Sequence, residues 1–283
     1  MLAGLKNLLK KYFYAFMVRD RLSPAVQIAQ LRQFQHYQEC KRNGTLPDFN
    51  DTGFKVFSQF EEDGKLLYIF STIGLGGKTF VDLGSHDGIN SNCANLVIHF
   101  GWRGLFVDGD KTVIGRGKRF YKKHPDAWSF KPHFLWSFIT AENVNSIVKP
   151  YFSGEIDLLS IDIDGNDYWI WKALDVVQPR VVVIESQVAF GSEDIVMPYR
   201  PDFAADVTSE NHYGASTAAL TRLAREKGYR LVGANQYGNN LFFVRSGIGE
   251  KELPEINFES TLTHPWATEK FFDQSVLQKL RSN

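Results

Sequence analysis

KTFVDLGSHDGINSNCANLVIHFGWRGLFVDGD, residues 78–110, is the stretch whose reading decides the fold. Thr79, Phe80 and Val81 form an apolar, β-branched run that meets an acid at Asp82, and Gly84 and Gly88 follow. That pattern predicts a buried strand, a tight polar turn, and a helix starting near Asn90 or Ser91. Cys93, Ala94, Leu96, Val97 and Phe100 supply the helix's inner face and Gly101 ends it. Leu105, Phe106 and Val107 then read as a second strand that closes on Asp108. The unit is β-turn-α-β with an acid at the end of each strand.

Such a unit suits a nucleoside. Glycines let the backbone approach a ligand, a helix N-terminus offers unpaired N–H groups, and a carboxylate at the next strand tip accepts both ribose hydroxyls. Asp108 is placed to be that carboxylate. A dinucleotide fold wants G-x-G-x-x-G, whereas this chain has Gly84-x-x-x-Gly88 with Ser85, His86 and Asp87 between. Asp82, Asp87 and Asp108 repel a pyrophosphate but suit a ligand that carries a positive charge and an amino acid tail, as S-adenosylmethionine does. A βα turn that binds nothing is the plain alternative.

Farther along, EIDLLSIDIDGNDYWIWKAL carries a strand over Leu158–Ile161 whose end gathers Asp162, Asp164, Asn166 and Asp167 around Gly165. VVVIES is a fifth strand ending at Glu185, and Phe134–Trp136 is the third, followed by a capped helix start at Thr140. In a parallel doubly wound sheet the C-terminal strand ends share one edge, so Asp82, Asp108, Asp162 and Glu185 converge there. Crowded carboxylates repel, and a cation, solvent or a proton relieves the cost. Ser137 and Phe138 fall at the same edge, where adenine needs an apolar wall. A helix through Thr217, Leu220 and Leu223, a strand over Tyr229–Val232, a Tyr237-Gly-Asn-Asn240 turn and a strand over Leu241–Val244 complete the core. That closing hairpin favours methyl transfer over hydride transfer by a nicotinamide-dependent oxidoreductase.

With 283 residues, the chain holds one large α/β domain plus extensions, and its 43% hydrophobic and 23% charged content is that of a folded protein. A net charge of +0 gives no global pull toward nucleic acid. Cys40 and Cys93 are the only cysteines, which fits a reducing compartment without structural disulfides. Residues 1–20 place Leu2, Leu5, Leu9, Phe13 and Phe16 at helical spacing beside Lys6, Lys10 and Lys11. This segment either docks on its own domain or a twin subunit, or lies in a membrane interface. A second helical pattern follows Pro24. Phe54–Phe57 reads as a short strand, and Ser58–Asp63 as a polar patch that caps the next helix or covers the ligand. Arg116, Lys118, Arg119, Lys122 and Lys123 form a basic cluster read mainly as a solvated face. The irregular stretch 189–216 reads as a lid over the acceptor pocket and carries His212, the best-placed imidazole for a general base.

The motifs VDLGSHDG (81–88), GWRGLFVDGD (101–110), DLLSIDIDGNDYWIW (157–171) and VVVIES (181–186) together resemble class I S-adenosylmethionine-dependent methyltransferases, most closely the FkbM-type family, over about residues 54–246. The loop departs from the family pattern in keeping only Gly84 and Gly88, with His86 and Asp87 in place of smaller neighbours. The resemblance implies a Rossmann-like methyltransferase fold, a mostly parallel seven-stranded sheet with helices on both faces. Around it the residue patterns predict a helical extension at 1–53 and a helical tail at 251–283, with the methyltransferase domain at 54–250 and its lid at 189–216. Asp82, Gly84, Ser85, His86, Gly88, Asp108, Ser137 and Asp162 are then expected around the cofactor, and His212, Asp162 and Asp164 at the chemistry. Mg²⁺ is a second candidate cofactor, with Asp162, Asp164 and Glu185 as its carboxylates. The implied activity is O-methylation of a saccharide-like or natural-product hydroxyl. A non-catalytic S-adenosylmethionine-binding assembly partner is the other reading. A homodimer and a location in the cytoplasm, or at the inner face of the membrane, complete the expectations.

Overall fold

The computed structural model describes residues 19–124, 131–202, 213–273 and 275–277. The expected membrane or docking helix of residues 1–20 lies almost wholly outside them. The chain forms two units, Met1–Leu46 and Pro47–Asn283. In the first, helix α1 (Pro24–Asn43) starts where the Ser23 hydroxyl accepts the Ala25 N–H, has proline at its first position, and stops at Gly44 in the left-handed conformation. Among the described residues no helix is long and apolar enough to cross a membrane.

The second unit is built on a seven-stranded sheet of order β3-β2-β1-β4-β5-β7-β6, comprising β1 (Thr79–Leu83), β2 (Arg103–Asp108), β3 (His133–Trp136), β4 (Gly154–Ile161), β5 (Val177–Glu185), β6 (Tyr229–Ala234) and β7 (Asn240–Arg245). The first five strands pair parallel and β7 runs antiparallel to both neighbours. This is the expected Rossmann-like methyltransferase fold. Strand periodicity sorts the core onto two faces. Val81, Leu83, Leu105, Val107, Leu159, Ile161, Val182 and Ile184 share one buried cluster with residues of α5 (Val144–Val148), α6 (Asp167–Ala173) and α7 (Thr217–Glu226). On the opposite face the Phe80 ring packs at a tilt against Phe106, and Phe106 meets Tyr121 of α4 (Lys111–Lys123). α2 (Glu62–Ile73) and α3 (Ala94–Phe100) are buried along almost their whole length.

Three local expectations shift. Phe54–Phe57 is not a strand, because the N–H groups of Val56, Phe57 and Ser58 all donate to Asp63 Oδ2 at 2.6–2.9 Å instead of to a neighbouring strand. Burial pushes the Asp63 carboxyl up to about 6, against the pull of those N–H donors. Helix α3 begins at Ala94, later than Asn90 or Ser91, since Ser91 is engaged elsewhere: its Oγ donates to Asp82 and accepts the Cys93 N–H. The basic cluster of α4 is only partly a solvated face, as Arg116 Nη1 lies 3.3 Å from the buried Asp87 carboxylate. Both cysteines are free thiols, and Cys93, the N-cap of α3, is buried.

Candidate functional site

The C-terminal ends of β1, β2, β4 and β5 open on a cleft of about 530 Å³ lined by Gln59, Gly84, His86, Asp108, Phe138 and Asp162, among others. That volume falls in the usual range for a small-molecule site. Its floor is the β1 turn. Gly84 has φ 82°, and a Cβ there would sit 1.7 Å from the Asp162 carbonyl oxygen, so the β1 and β4 tips approach as closely as they do only because residue 84 lacks a side chain. The N–H groups of Gly84 and Ser85 both donate to the Val107 carbonyl, and Asp162 N–H donates to Leu83, tying three strand ends together.

Asp108 is held by two backbone donors, His86 N–H to Oδ2 and Asp110 N–H to Oδ1, each at 2.8 Å. To make the first bond, His86 takes φ 52°, an unusual conformation for a non-glycine residue. A carboxylate has roughly four lone-pair sites, so two backbone bonds fix its plane and leave the rest for paired ligand hydroxyls. Burial raises the Asp108 pKa, partly offset by those two donors. His86 itself is raised, chiefly by its contact with Asp87. For Asp87 the donors outweigh burial: His86 and the Ile89 N–H pull its carboxyl below the ordinary value.

A narrower recess of about 40 Å³ continues inward, lined by Asp82, Ser85, Ser91, Asn92, Ser160 and Asp162. Burial pushes the Asp82 carboxyl up to about 6, against the lowering effect of the Ser91 hydroxyl, which donates to it at 2.5 Å. Ser85 Oγ is buried here without a hydrogen-bond partner. Two acids and a ring of hydroxyls suit an ammonium or sulfonium, while Phe138 and Ile139 give the outer cleft an apolar wall beside Asp108.

At the other end Asp162, Asp164 and Glu185 present carboxylate oxygens that all lie within 4.8 Å of one another. Asp164 adopts φ 58° in the turn after β4. Burial first, then the charges of Asp167, Asp164 and Asp82, hold Asp162 well above the usual carboxylate range. Glu185 is raised for the same reasons, with Asp162 its strongest charged neighbour. Asp167 is different, since its two oxygens accept the N–H groups of Ile163 and Gly165 and so shape the loop.

The sequence-predicted residues therefore separate. Gly84, His86, Asp108, Asp162, Asp164 and Glu185 line the cleft, and Asp82 and Ser85 line the recess. Gly88 does not line either, as it packs against Phe106 and Phe134 and its carbonyl accepts the Tyr121 hydroxyl. Ser137 does not either: its hydroxyl donates to the Phe138 carbonyl, and Phe138 and Ile139 make the wall instead. His212 lies outside the described residues. The described parts of the expected lid are tethered, with Met197 and Arg200 carbonyls accepting from Trp169 and Asn166, and the Tyr199 hydroxyl donating to Glu142. Asn92 and Ser160 escaped the sequence reading, because a lone amide and a mid-strand serine carry no signal. Gln59 lay within the noted polar patch and lines the cleft, while Glu62 accepts from the Asn235 and Asn240 amides and Asp63 accepts backbone N–H groups of the loop before α2.

Among solved structures the chain is similar to several S-adenosylmethionine-dependent methyltransferases. One is WbdD, described as a bifunctional kinase-methyltransferase, at 18% identity and TM-score 0.36, over 59% of this chain and 35% of that one. A second, from Aquifex aeolicus, aligns at 15% identity and TM-score 0.40 over 73% of this chain and 96% of that one. An O-methyltransferase from Bacillus cereus in complex with S-adenosylhomocysteine aligns at 12% identity and TM-score 0.36, over 56% and 68%. At these values the likeness is one of fold and says nothing of substrate. No protein-family model matches the sequence and no curated protein aligns with it. The FkbM-type resemblance thus rests on the sequence motifs alone.

Proposed function

We propose that the chain is an S-adenosylmethionine-dependent O-methyltransferase of FkbM type, acting on a hydroxyl of a saccharide-like or natural-product acceptor. The observation that carries this reading is Asp108, oriented by two backbone N–H groups at the β2 tip, facing a cleft whose inner end is acidic. Asp108 would accept the ribose hydroxyls, Phe138 and Ile139 would flank the base, and Asp82, Ser91 and Asp162 would receive the charged end. The cofactor supplies an electrophilic methyl on a sulfonium. The side chains at the β4 and β5 tips orient the acceptor oxygen for in-line attack, so positioning supplies much of the rate. The proton leaves to Asp162, to Asp164 or to His212.

The oxygen-only donor set Asp162, Asp164 and Glu185 also fits a hard divalent cation such as Mg²⁺, which would lower the pKa of an acceptor hydroxyl. Calorimetric titration with S-adenosylhomocysteine and with NAD tests the cofactor. Tight binding of the first and none of the second is the expected result, and the reverse overturns the reading. Turnover abolished by EDTA and restored by Mg²⁺ supports the cation, whereas turnover indifferent to EDTA removes it. The same reading places the enzyme in the cytoplasm, with residues 1–20 contacting the inner membrane face or a twin subunit. Co-sedimentation of the intact chain, but not of a chain lacking those residues, with anionic vesicles separates the two.

A further inference from the structure

Helix α4 carries a charge pattern that no part of the methyl-transfer reading uses. From Lys111 to Lys123 it holds six bases and no acid, in a chain whose net charge is +0. Arg116 is spent on Asp87, and Lys111, Lys118, Arg119, Lys122 and Lys123 are exposed and in no ion pair among the described residues. At about 3.6 residues per turn, Lys111, Lys118 and Lys122 fall in one line along the helix and Arg119 and Lys123 in the line beside it. Val113, Ile114, Gly117 and Tyr121, on the other side, are buried. At about 1.5 Å per residue the basic stripe is roughly 18 Å long. Lys118 with Lys122, and Arg119 with Lys123, are like charges one turn apart, an arrangement that costs a helix stability. The described acid nearest along the chain, Asp110, caps the helix by accepting the Thr112 N–H.

The stripe runs onto aromatic surface. Strand β3 is the edge of the sheet, and its Trp136 is 53% exposed. Lys111 Nζ stands 4.8 Å from the centroid of that ring, and the indole N–H donates to the Gly109 carbonyl at 2.9 Å. Trp136 therefore presents ring alone to the outside, with its one polar group satisfied. We propose that this face docks on an anionic lipid surface, with the five free bases against the headgroups and the Trp136 ring in the interfacial layer. The inference is independent of methyl transfer and adds a second contact to the one proposed for residues 1–20. Four of the five bases are lysines, point charges that need no oriented partner, whereas a phosphodiester backbone is best read by the arginine fork. A polynucleotide would also stack on an open aromatic face, and Lys111 covers one side of Trp136. An indole whose N–H is already bonded enters the lipid interface without leaving a donor unpaired. A basic stripe is one signal and firm attachment takes two, so this face strengthens the contact of residues 1–20 and does not replace it.

The test is co-sedimentation of the full chain with vesicles of phosphatidylglycerol and phosphatidylcholine, against vesicles of phosphatidylcholine alone. The reporting variant combines Lys118→Glu with Arg119→Glu, which turns two repulsive pairs one turn apart into attractive ones and is expected to keep or raise the Tm. Its affinity for the anionic vesicles is expected to fall about tenfold or more. The parent's binding should vanish in about 1 M salt, where the Debye length is about 3 Å. Trp136→Ala is expected to weaken binding several-fold and to leave the salt dependence in place. A parent that stays in solution or binds neutral vesicles equally, a folded charge-reversed variant that binds as the parent does, or tighter binding of a single-stranded oligonucleotide than of the vesicles overturns the proposal. Lys6→Glu, Lys10→Glu and Lys11→Glu, made together in the full chain, separate this face from residues 1–20. Loss of binding confined to that triple variant removes the stripe, and loss confined to the α4 variant removes the N-terminal contact instead.

Discussion

The two halves of the cleft treat their carboxylates in opposite ways. At the β1 and β2 tips every acid has been given donors: Asp108 takes two backbone N–H groups, Asp87 takes Ile89 N–H and the Arg116 guanidinium, and Asp82 takes the Ser91 hydroxyl. At the β4 and β5 tips Asp162, Asp164 and Glu185 crowd within 4.8 Å, and among the described residues it is Asp167 that takes backbone N–H donors there. A half whose acids are pre-oriented binds a defined ligand without reorganising. A half whose acids repel one another stores unfavourable charge that a proton, a cation or a cationic ligand relieves. On the proposed reading the first arrangement serves recognition and the second chemistry.

The hardest break is Gly84→Ala. Its Cβ would collide with the Asp162 carbonyl at 1.7 Å, on a residue with φ 82°, so the tips that join the two halves must part. We expect a loss of about 3 kcal/mol or more, read as a sharply lower Tm. A melt within a degree of the parent would show that the halves are not coupled through this contact.

Asp108→Ala tests the pre-oriented half alone. Removing paired charge-assisted bonds should cost about 2–4 kcal/mol, so S-adenosylhomocysteine should bind at least about tenfold more weakly to a chain that stays folded. Unchanged affinity in the titration would take the ribose role away from Asp108.

Glu185→Gln sharpens the view of the crowded half. Burial, then Asp162, Asp167 and Asp164, raise the folded-state pKa of Glu185 above its unfolded value. The native chain therefore holds a proton that the unfolded chain releases above about pH 4. Stability from this group is present at low pH and is lost as pH rises through the raised native value. In EDTA the Glu185→Gln chain should melt higher than the parent at pH 7.5, and the gap should close toward pH 4. A variant that melts lower at pH 7.5 would mean that the cluster is not electrostatically strained.

The smallest effect is expected at Arg116→Ala. Its guanidinium sits 3.3 Å from Asp87 but is 40% exposed, so solvent screens the pair and the loss should be about 1 kcal/mol or less. A drop in S-adenosylhomocysteine affinity beyond about tenfold would instead place Arg116 on the cofactor.

The sequence by itself determined the sheet and most of the cleft's acids. Strand periodicity, the Gly84 turn and the left-handed stop at Gly101 are local signals, and an acid at a strand end is placed by topology once the sheet is parallel. Asp82, Asp108, Asp162 and Glu185 were therefore legible from the chain alone. Only the tertiary structure decided which neighbours face the cleft and its recess. Gly88 and Ser137 have the right residue types and the wrong direction, Asn92 and Ser160 meet across 68 positions of sequence, and the Phe54–Phe57 run gives its N–H groups to Asp63 rather than to a strand. Side-chain direction and long-range donor pairing come from packing, and no periodicity in the chain records them.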